Sequence, residues 1–273
     1  MRVLVADKLS ESGVEELAEH FDTHVRTGLS KEELVDAIGE YDAVVVRSST
    51  TIDADVIAAA DNLKVIARAG IGLDNVDVNA ATEKGVIVCN APQSNVISAA
   101  EHAVALLLSL ARRVPPAHAS LTAGEWNRSA FSGTELHGKT LGVLGLGRVG
   151  ALVAQRCASF GMRLMAYDPY VSQERAAQMG VELVPTIPEL CRTADVLTVH
   201  LPKTADTVGA IGEDELRAMK PTALVVNTSR GGSSTSRRCT GRSARAGSPA
   251  RHWTSSRPSR PRRARSSSST TSW

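Results

Sequence analysis

The chain has 273 residues, enough for two modest domains that each bury a core. Its formal charge of +2 conceals two unlike parts: residues 1–232 hold all 29 acids against 21 Lys and Arg, a net of −8, whereas residues 233–273 hold ten Arg, 13 Ser and no acid. The body therefore reads as an ordinary acidic soluble protein. Its four Cys (89, 157, 191 and 239) have no metal-ligand spacing, and a leader peptide and an apolar run of about 18 residues are both missing, so a cytoplasmic protein without a metal or a membrane span is expected.

Taken in order, Met1–Asp7 is a short apolar strand, and Ser10–Glu19 reads as a helix capped by Ser10. Ser30-Lys-Glu-Glu33 is a capping box for a helix reaching Ile38. Asp42–Arg47 is a buried strand with Arg47-Ser-Ser at its C-terminal end. Asp53–Ala60 is helical, Leu63–Ala67 a strand, and the loop Ala69-Gly-Ile-Gly-Leu-Asp-Asn75 follows. Val78–Lys84 is a helix, Val86–Cys89 a strand, and a long helix is expected from Ser94 to Val114. Gly124–Glu135 is a polar loop. After Asp168 come helices over Gln173–Met179, at Pro188 and over Glu213–Met219, with strands at Glu182–Val184, Val196–His200 and Ala223–Asn227. Alternating strands and helices predict a doubly wound α/β fold with parallel sheets.

The most informative stretch is Gly145-Leu-Gly-Arg-Val-Gly150. It follows the apolar run Thr140–Leu144 and opens a helical pattern from Arg148 to Phe160. In such a turn Gly145 permits the tight bend, Gly147 lets the backbone approach a pyrophosphate, and Gly150 lets the helix pack closely on the strand. The helix N-terminus offers amide groups and partial positive charge to the anion. A second apolar strand, Arg163–Tyr167, ends at Asp168, where an acid can bind ribose hydroxyls and repel a 2′-phosphate, favouring NAD.

The segments ARAGIGLDNVD (67–77), NAPQSNVISAAEH (90–102), GEWNRSAF (124–131), VHLPKTADTVGAIG (199–212) and VVNTSRGG (225–232), with the glycine turn, resemble the D-isomer-specific 2-hydroxyacid dehydrogenases. The likeness covers residues 1–232. It implies a flavodoxin-like substrate domain over 1–94 and a Rossmann NAD domain over 95–232, both incomplete on their C-terminal side. By resemblance, Arg47, Ser48 and Asn95 would hold the substrate phosphate and hydroxy acid, and the backbone of Ala69, Gly70, Ile71 and Gly72 its carboxylate. Arg148, Val149, Asp168, Leu201, Thr228 and Ser229 would contact NAD, and Arg230 matches the family's catalytic Arg. His200 is expected to be structural or to line the cofactor. The first three segments favour 3-phosphoglycerate as the substrate. The alternatives are glyoxylate, hydroxypyruvate or D-lactate chemistry, or a non-catalytic NAD-binding partner protein. Relatives are typically homo-oligomers, with contacts from the long helix and its following loop.

The resemblance also implies an acid–base His and a Glu beyond position 232. The chain has no Glu after Glu215, and its only later His is His252. A coding frame displaced by one base accounts for this. Read one base earlier, the codons of His252, Trp253 and Thr254 must encode Leu and then Asp, and serine codons become apolar ones. The competing reading is a basic tail that binds nucleic acid electrostatically. On either reading residues 233–273 cannot build a core and are expected to be disordered.

Overall fold

The computed structural model describes residues 1–202, 204 and 206–229, together with the backbone of 253–255. The chain divides into two compact units, Met1–Ser98 and Ala99–Trp273.

The first unit contains strands β1 (Arg2–Val5), β2 (Asp22–Val25), β3 (Ala43–Val46), β4 (Val65–Arg68) and β5 (Ile87–Asn90), all parallel, in the order β2-β1-β3-β4-β5. This is the flavodoxin-like order, with a switch point between β1 and β3. The helices are α1 (Glu11–His20), α2 (Lys31–Ile38), α3 (Ala54–Ala59) and α4 (Val78–Glu83). All four residues of β3 are buried because the sheet is covered on both faces. Val44 and Val46 pack with Leu34, Ile38, Val56 and Ile57, while Ala43 and Val45 pack with Val3, Val5 and Leu17.

The helix starts are set by local chemistry. Ser10 accepts from the Gly13 amide, and Asp53 and Asp77 cap α3 and α4 in the same way. Both halves of the Ser30–Glu33 capping box are formed. Strand β2 has no counterpart among the expected elements. Its Asp-Thr-His-Val sequence lacks an apolar run, and it exists as an edge strand through its backbone ladder with β1 and the ion pair of Asp22 with Arg2 at 3.6 Å.

In the second unit, helices α5 (Val96–Ala111) and α6 (Val114–Thr122) precede β6 (Thr140–Leu144), α7 (Arg148–Ala158) and β7 (Arg163–Tyr167). Then come α8 (Gln173–Gln178), β8 (Glu182–Leu183), α9 (Ile187–Thr193), β9 (Val196–Val199), α10 (Glu213–Ala218), β10 (Leu224–Asn227) and β11 (Trp253–Ser255). The parallel order β11-β10-β9-β6-β7-β8 is the Rossmann arrangement, with its switch point between β6 and β9. Leu141 and Val143 bury one face against α5 and α7, and Leu144, Leu197 and Val199 bury the other against Leu190 and Ile211.

The structure departs from one expected element. The helix predicted over Ser94–Val114 ends at Ala111, and a second helix follows. Arg113 adopts a left-handed conformation (φ 53°), and Pro115 and Pro116 start α6. Pro115 has no amide to donate to the Ala111 carbonyl and its ring would clash with it, which stops a continuous helix, whereas proline suits a first helical turn. The Arg113 guanidinium donates to the Ala130 carbonyl at 2.8 Å and lies over the Phe131 ring, which holds the bend.

Trp253–Ser255 pairs in parallel with Val225–Asn227 and supplies the sixth strand. A ladder needs backbone groups rather than an apolar sequence, and the edge of β10 offers them. The rest of the segment expected to be disordered lies outside the described residues. No helix among the described residues is long and apolar enough to cross a membrane.

Candidate functional site

Each unit places its candidate residues after the carboxyl ends of its strands, on the side where open α/β sheets form a crevice at the switch point. In the second unit the switch point is flanked by Gly145, after β6, and His200, after β9.

Gly145 has φ +92°, and a Cβ there would meet the His200 carbonyl oxygen at 3.0 Å and Leu201 Cδ2 at 3.2 Å. A Cβ on Gly150 would stand 2.1 Å from the Gly145 carbonyl oxygen. The two glycines therefore let α7 and β9 close around the turn. Gly147 differs: it is exposed at the N-cap position of α7, and a Cβ there would meet nothing within 4 Å. That open backbone, beside the helix N-terminus and the exposed Arg148, fits a pyrophosphate. Asp168 follows β7, and its carboxylate accepts from the Leu146 amide at 2.8 Å and the Tyr170 amide at 2.9 Å. The acid is thus tied to the glycine turn while keeping lone pairs for ribose hydroxyls.

The remaining cofactor candidates divide. Leu201 is half-buried against the second core face and against Gly145. Val149 packs partly into the core from the first turn of α7. Ser229 donates through its amide and hydroxyl to Asn227 Oδ1, at 3.0 and 2.8 Å, which fixes the loop after β10 on which Thr228 stands half-buried. Arg230, the expected catalytic residue, lies outside the described residues. His200 is half-buried, its Nε2 2.8 Å from Thr198 Oγ1 and its amide bonded to the Leu144 carbonyl. Burial lowers its imidazole to about 4, so it is neutral near pH 7.

In the first unit, Arg47 and Ser48 are exposed at the end of β3, and an Arg47 Nη donates to the Lys8 carbonyl at 3.2 Å. Across the switch point, Asp7 is 4% exposed. Its carboxylate accepts from the amides of Arg47 (2.6 Å), Ser49 (3.3 Å) and Thr50 (3.2 Å) and from the Thr50 hydroxyl (2.9 Å). Asn75 Nδ2 donates to the carbonyls of Arg47 (2.7 Å) and Thr50 (2.6 Å). Asn90 Nδ2 donates to the Ile71 carbonyl at 2.6 Å, and the Ala91 amide to the Gly70 carbonyl at 3.0 Å. One belt of hydrogen bonds thus joins the loops after β1, β3, β4 and β5.

Two of the backbone amides in the carboxylate loop are engaged within the protein. The Ala69 amide donates to the Val46 carbonyl, and the Gly70 amide to the Arg68 carbonyl, both at 2.8 Å. Of the four expected backbone donors, the loop therefore offers those of Ile71 and Gly72. A Cβ on Gly70 would fall 1.8 Å from an Arg68 Nη, so a side chain there needs the guanidinium of Arg68, which is buried behind the loop, to move. Asn95 is exposed immediately before α5, where its carbonyl accepts from the Ser98 hydroxyl at 3.2 Å. Sequence reasoning missed Asp7 and Asn75 as site residues. The only signal for Asp7 was its position at the end of the first apolar strand, level with Arg47 at the end of another.

Comparison with known proteins agrees with this geometry. The model of the family described as D-isomer specific 2-hydroxyacid dehydrogenase, NAD binding domain, matches residues 104–237. D-3-phosphoglycerate dehydrogenase of Mycobacterium tuberculosis is 55% identical over 230 residues, covering 84% of this chain and 43% of the relative. The protein of the same name from Archaeoglobus fulgidus is 51% identical over 233 residues, covering 85% and 44%. The chain spans less than half the length of these curated relatives. Among solved structures, the TT0316 protein of Thermus thermophilus superposes with a TM-score of 0.80 at 33% identity, covering 87% of this chain and 76% of that one. D-lactate dehydrogenase of Escherichia coli gives 0.75 at 29%, covering 88% and 78%. With the parallel sheets, the glycine turn and its acid in place, these matches make the chain a member of the D-isomer-specific 2-hydroxyacid dehydrogenase family.

Proposed function

We propose that this chain is built for the NAD-dependent oxidation of 3-phospho-D-glycerate to 3-phosphooxypyruvate, the first step of serine biosynthesis. The observation that carries the reading is the Arg47-Ser48 pair, a cation and a hydroxyl exposed at the switch-point crevice of the first unit. A phosphorylated hydroxy acid needs such a pair, and D-lactate does not.

NAD, when bound, supplies the acceptor for hydride leaving C2 of the hydroxy acid. The protein's part is placement. The turn Gly145–Gly150 and the N-terminus of α7 hold the pyrophosphate, Asp168 the ribose, and Leu201, Thr228 and Ser229 line the nicotinamide side. The negative charge of Asp168 disfavours the 2′-phosphate of NADP. The Ile71 and Gly72 amides hold the substrate carboxylate, and Asn95 the hydroxy acid. Arg230 holds the carboxylate and the developing carbonyl oxygen in one plane.

A group that takes the hydroxyl proton is the missing part. Residues 233–273 contain no Glu and a single His, His252. We read this segment as out of frame, so turnover of the chain as it stands is negligible and its NAD binding is weakened. A protein of homo-oligomeric habit and cytoplasmic location is the accompanying expectation.

The tests are a binding panel with NADH present (3-phosphoglycerate, hydroxypyruvate, glyoxylate and D-lactate, each against the full chain and a frame-corrected version) and a turnover assay that pairs NAD with 3-phosphoglycerate and D-lactate, and NADH with hydroxypyruvate and glyoxylate. Preferential binding of 3-phosphoglycerate by both, with turnover only in the corrected chain, is the expected result. Equal or better binding of D-lactate overturns the substrate reading, and turnover by the chain as it stands overturns the incomplete-site reading.

A further inference from the structure

We propose that Asp7 and Asn75 are the positioning residues of the substrate site, and that they reserve phosphate recognition for the side chains of Arg47 and Ser48. The proposal rests on the reading of Arg47-Ser48 as the phosphate site and adds how that site is held and which of its groups remain for the ligand.

A turn at a switch point would ordinarily offer its amides to an anion, as glycine-rich phosphate loops do. Here the protein's own carboxylate occupies that place. Asp7 takes the amides of Arg47, Ser49 and Thr50 and the Thr50 hydroxyl, while Asn75 takes the carbonyls of Arg47 and Thr50. The turn is therefore clamped from its donor side and its acceptor side by two residues remote in sequence. With three of its amides spent on Asp7, a phosphate meets the guanidinium and hydroxyl at the rim instead of a backbone cradle.

The clamp also fixes the relation between two parts of the site. The Ile52 amide bonds the Asn75 carbonyl and the Asp77 amide bonds the Ile52 carbonyl, both at 2.8 Å, and Ile52 bridges to Val76. Asn75 belongs to the segment that follows Ile71 and Gly72. The spacing between the groups proposed for phosphate and those proposed for carboxylate is thus set through Asn75. Such a device selects for the length of a phosphorylated hydroxy acid, because both ends must be met at once.

The test uses the full chain with saturating NADH and compares calorimetric affinity for 3-phosphoglycerate and for D-glycerate, which lacks the phosphate. Asp7→Asn, which removes a charged acceptor, and Asn75→Ala, which removes two hydrogen bonds, should each weaken 3-phosphoglycerate by about tenfold or more, and D-glycerate by less than about twofold. A merely structural role would weaken both ligands alike, and that result overturns the proposal. Thr50→Val keeps the shape and removes one donor to Asp7. It should lower 3-phosphoglycerate affinity by a smaller factor, and it carries the test if the other variants fail to fold. Hydrogen exchange at the amides of Arg47, Ser49 and Thr50 should accelerate in Asp7→Asn, and unchanged exchange also overturns the proposal. Arg47→Ala separates the two readings. If it leaves 3-phosphoglycerate affinity intact, the phosphate assignment itself fails. If it weakens affinity while Asp7→Asn does not, only the positioning role fails.

Discussion

A Cβ on Gly150 would stand 2.1 Å from the carbonyl oxygen of Gly145 and 3.1 Å from Val143 Cγ1. The first obstacle is backbone, which cannot rotate aside as a side chain can. Gly150→Ala must therefore push α7 away from the turn, at a cost of about 1–3 kcal/mol. The expected outcome is a lower melting temperature together with at least about tenfold weaker NADH binding, since the amides of the helix start lose their aim. Thermal denaturation and NADH fluorescence titration check both, and an unchanged pair of values refutes the packing argument.

Gly147 should behave in the opposite way. Its φ of −71° and ψ of −163° suit any residue, and a Cβ there meets nothing within 4 Å. Gly147→Ala should leave stability within about 1 kcal/mol, the lost N-cap preference offsetting the reduced freedom of the unfolded chain. NADH affinity should still fall by about tenfold or more, because the methyl group stands where the pyrophosphate must approach. Binding that survives this substitution would place the cofactor elsewhere.

Asp168 holds the Leu146 amide as well as the position for the ribose. Asp168→Asn retains an acceptor for that amide and removes the charge. The preference for NADH over NADPH should narrow by about tenfold, the equivalent of about 1.4 kcal/mol, with little change in melting temperature. Parallel titrations with the two reduced cofactors measure the ratio, and an unaltered ratio counts against charge as the discriminator.

His200 links the cofactor crevice to pH. Burial lowers its imidazole from the ordinary 6.5 to about 4. As pH falls through 6.5, the unfolded chain takes up a proton that the folded chain refuses until about 4. Stability from this group is complete above about pH 6.5 and declines as pH falls toward 4, by about 1.4 kcal/mol per unit at most. His200→Gln removes that contribution. The difference between the two proteins in melting temperature should change steadily from pH 7 to pH 4.5, and a constant difference refutes the assignment.

Much of the architecture was legible in the sequence because it depends on neighbouring residues. Ser30 and Glu33 lie three positions apart and cap a helix that either would recognise in isolation. The apolar run of β6, the turn Gly145–Gly150 and the acid after β7 announce a nucleotide fold in one continuous stretch. Even the break before α6 had its cause in view at Pro115 and Pro116, although the apolar pattern running through it concealed the two helices.

Sheet order decided the rest. Asp7 and Arg47 are 40 residues apart, and nothing local to either says that they meet. They meet because β1 lies beside β3, leaving β2, a strand with no apolar signature, at the edge. In the same sheet β4 beside β3 engages the Ala69 amide with Val46, and in the other sheet β9 beside β6 sets the His200 carbonyl against Gly145. Local sequence determined which segments are strands, turns and helix starts, because hydrogen bonds between near neighbours are short-range and additive. Which polar groups remain for a ligand was decided only in the tertiary structure, because a donor is spent or spared by the strand that comes to lie beside it.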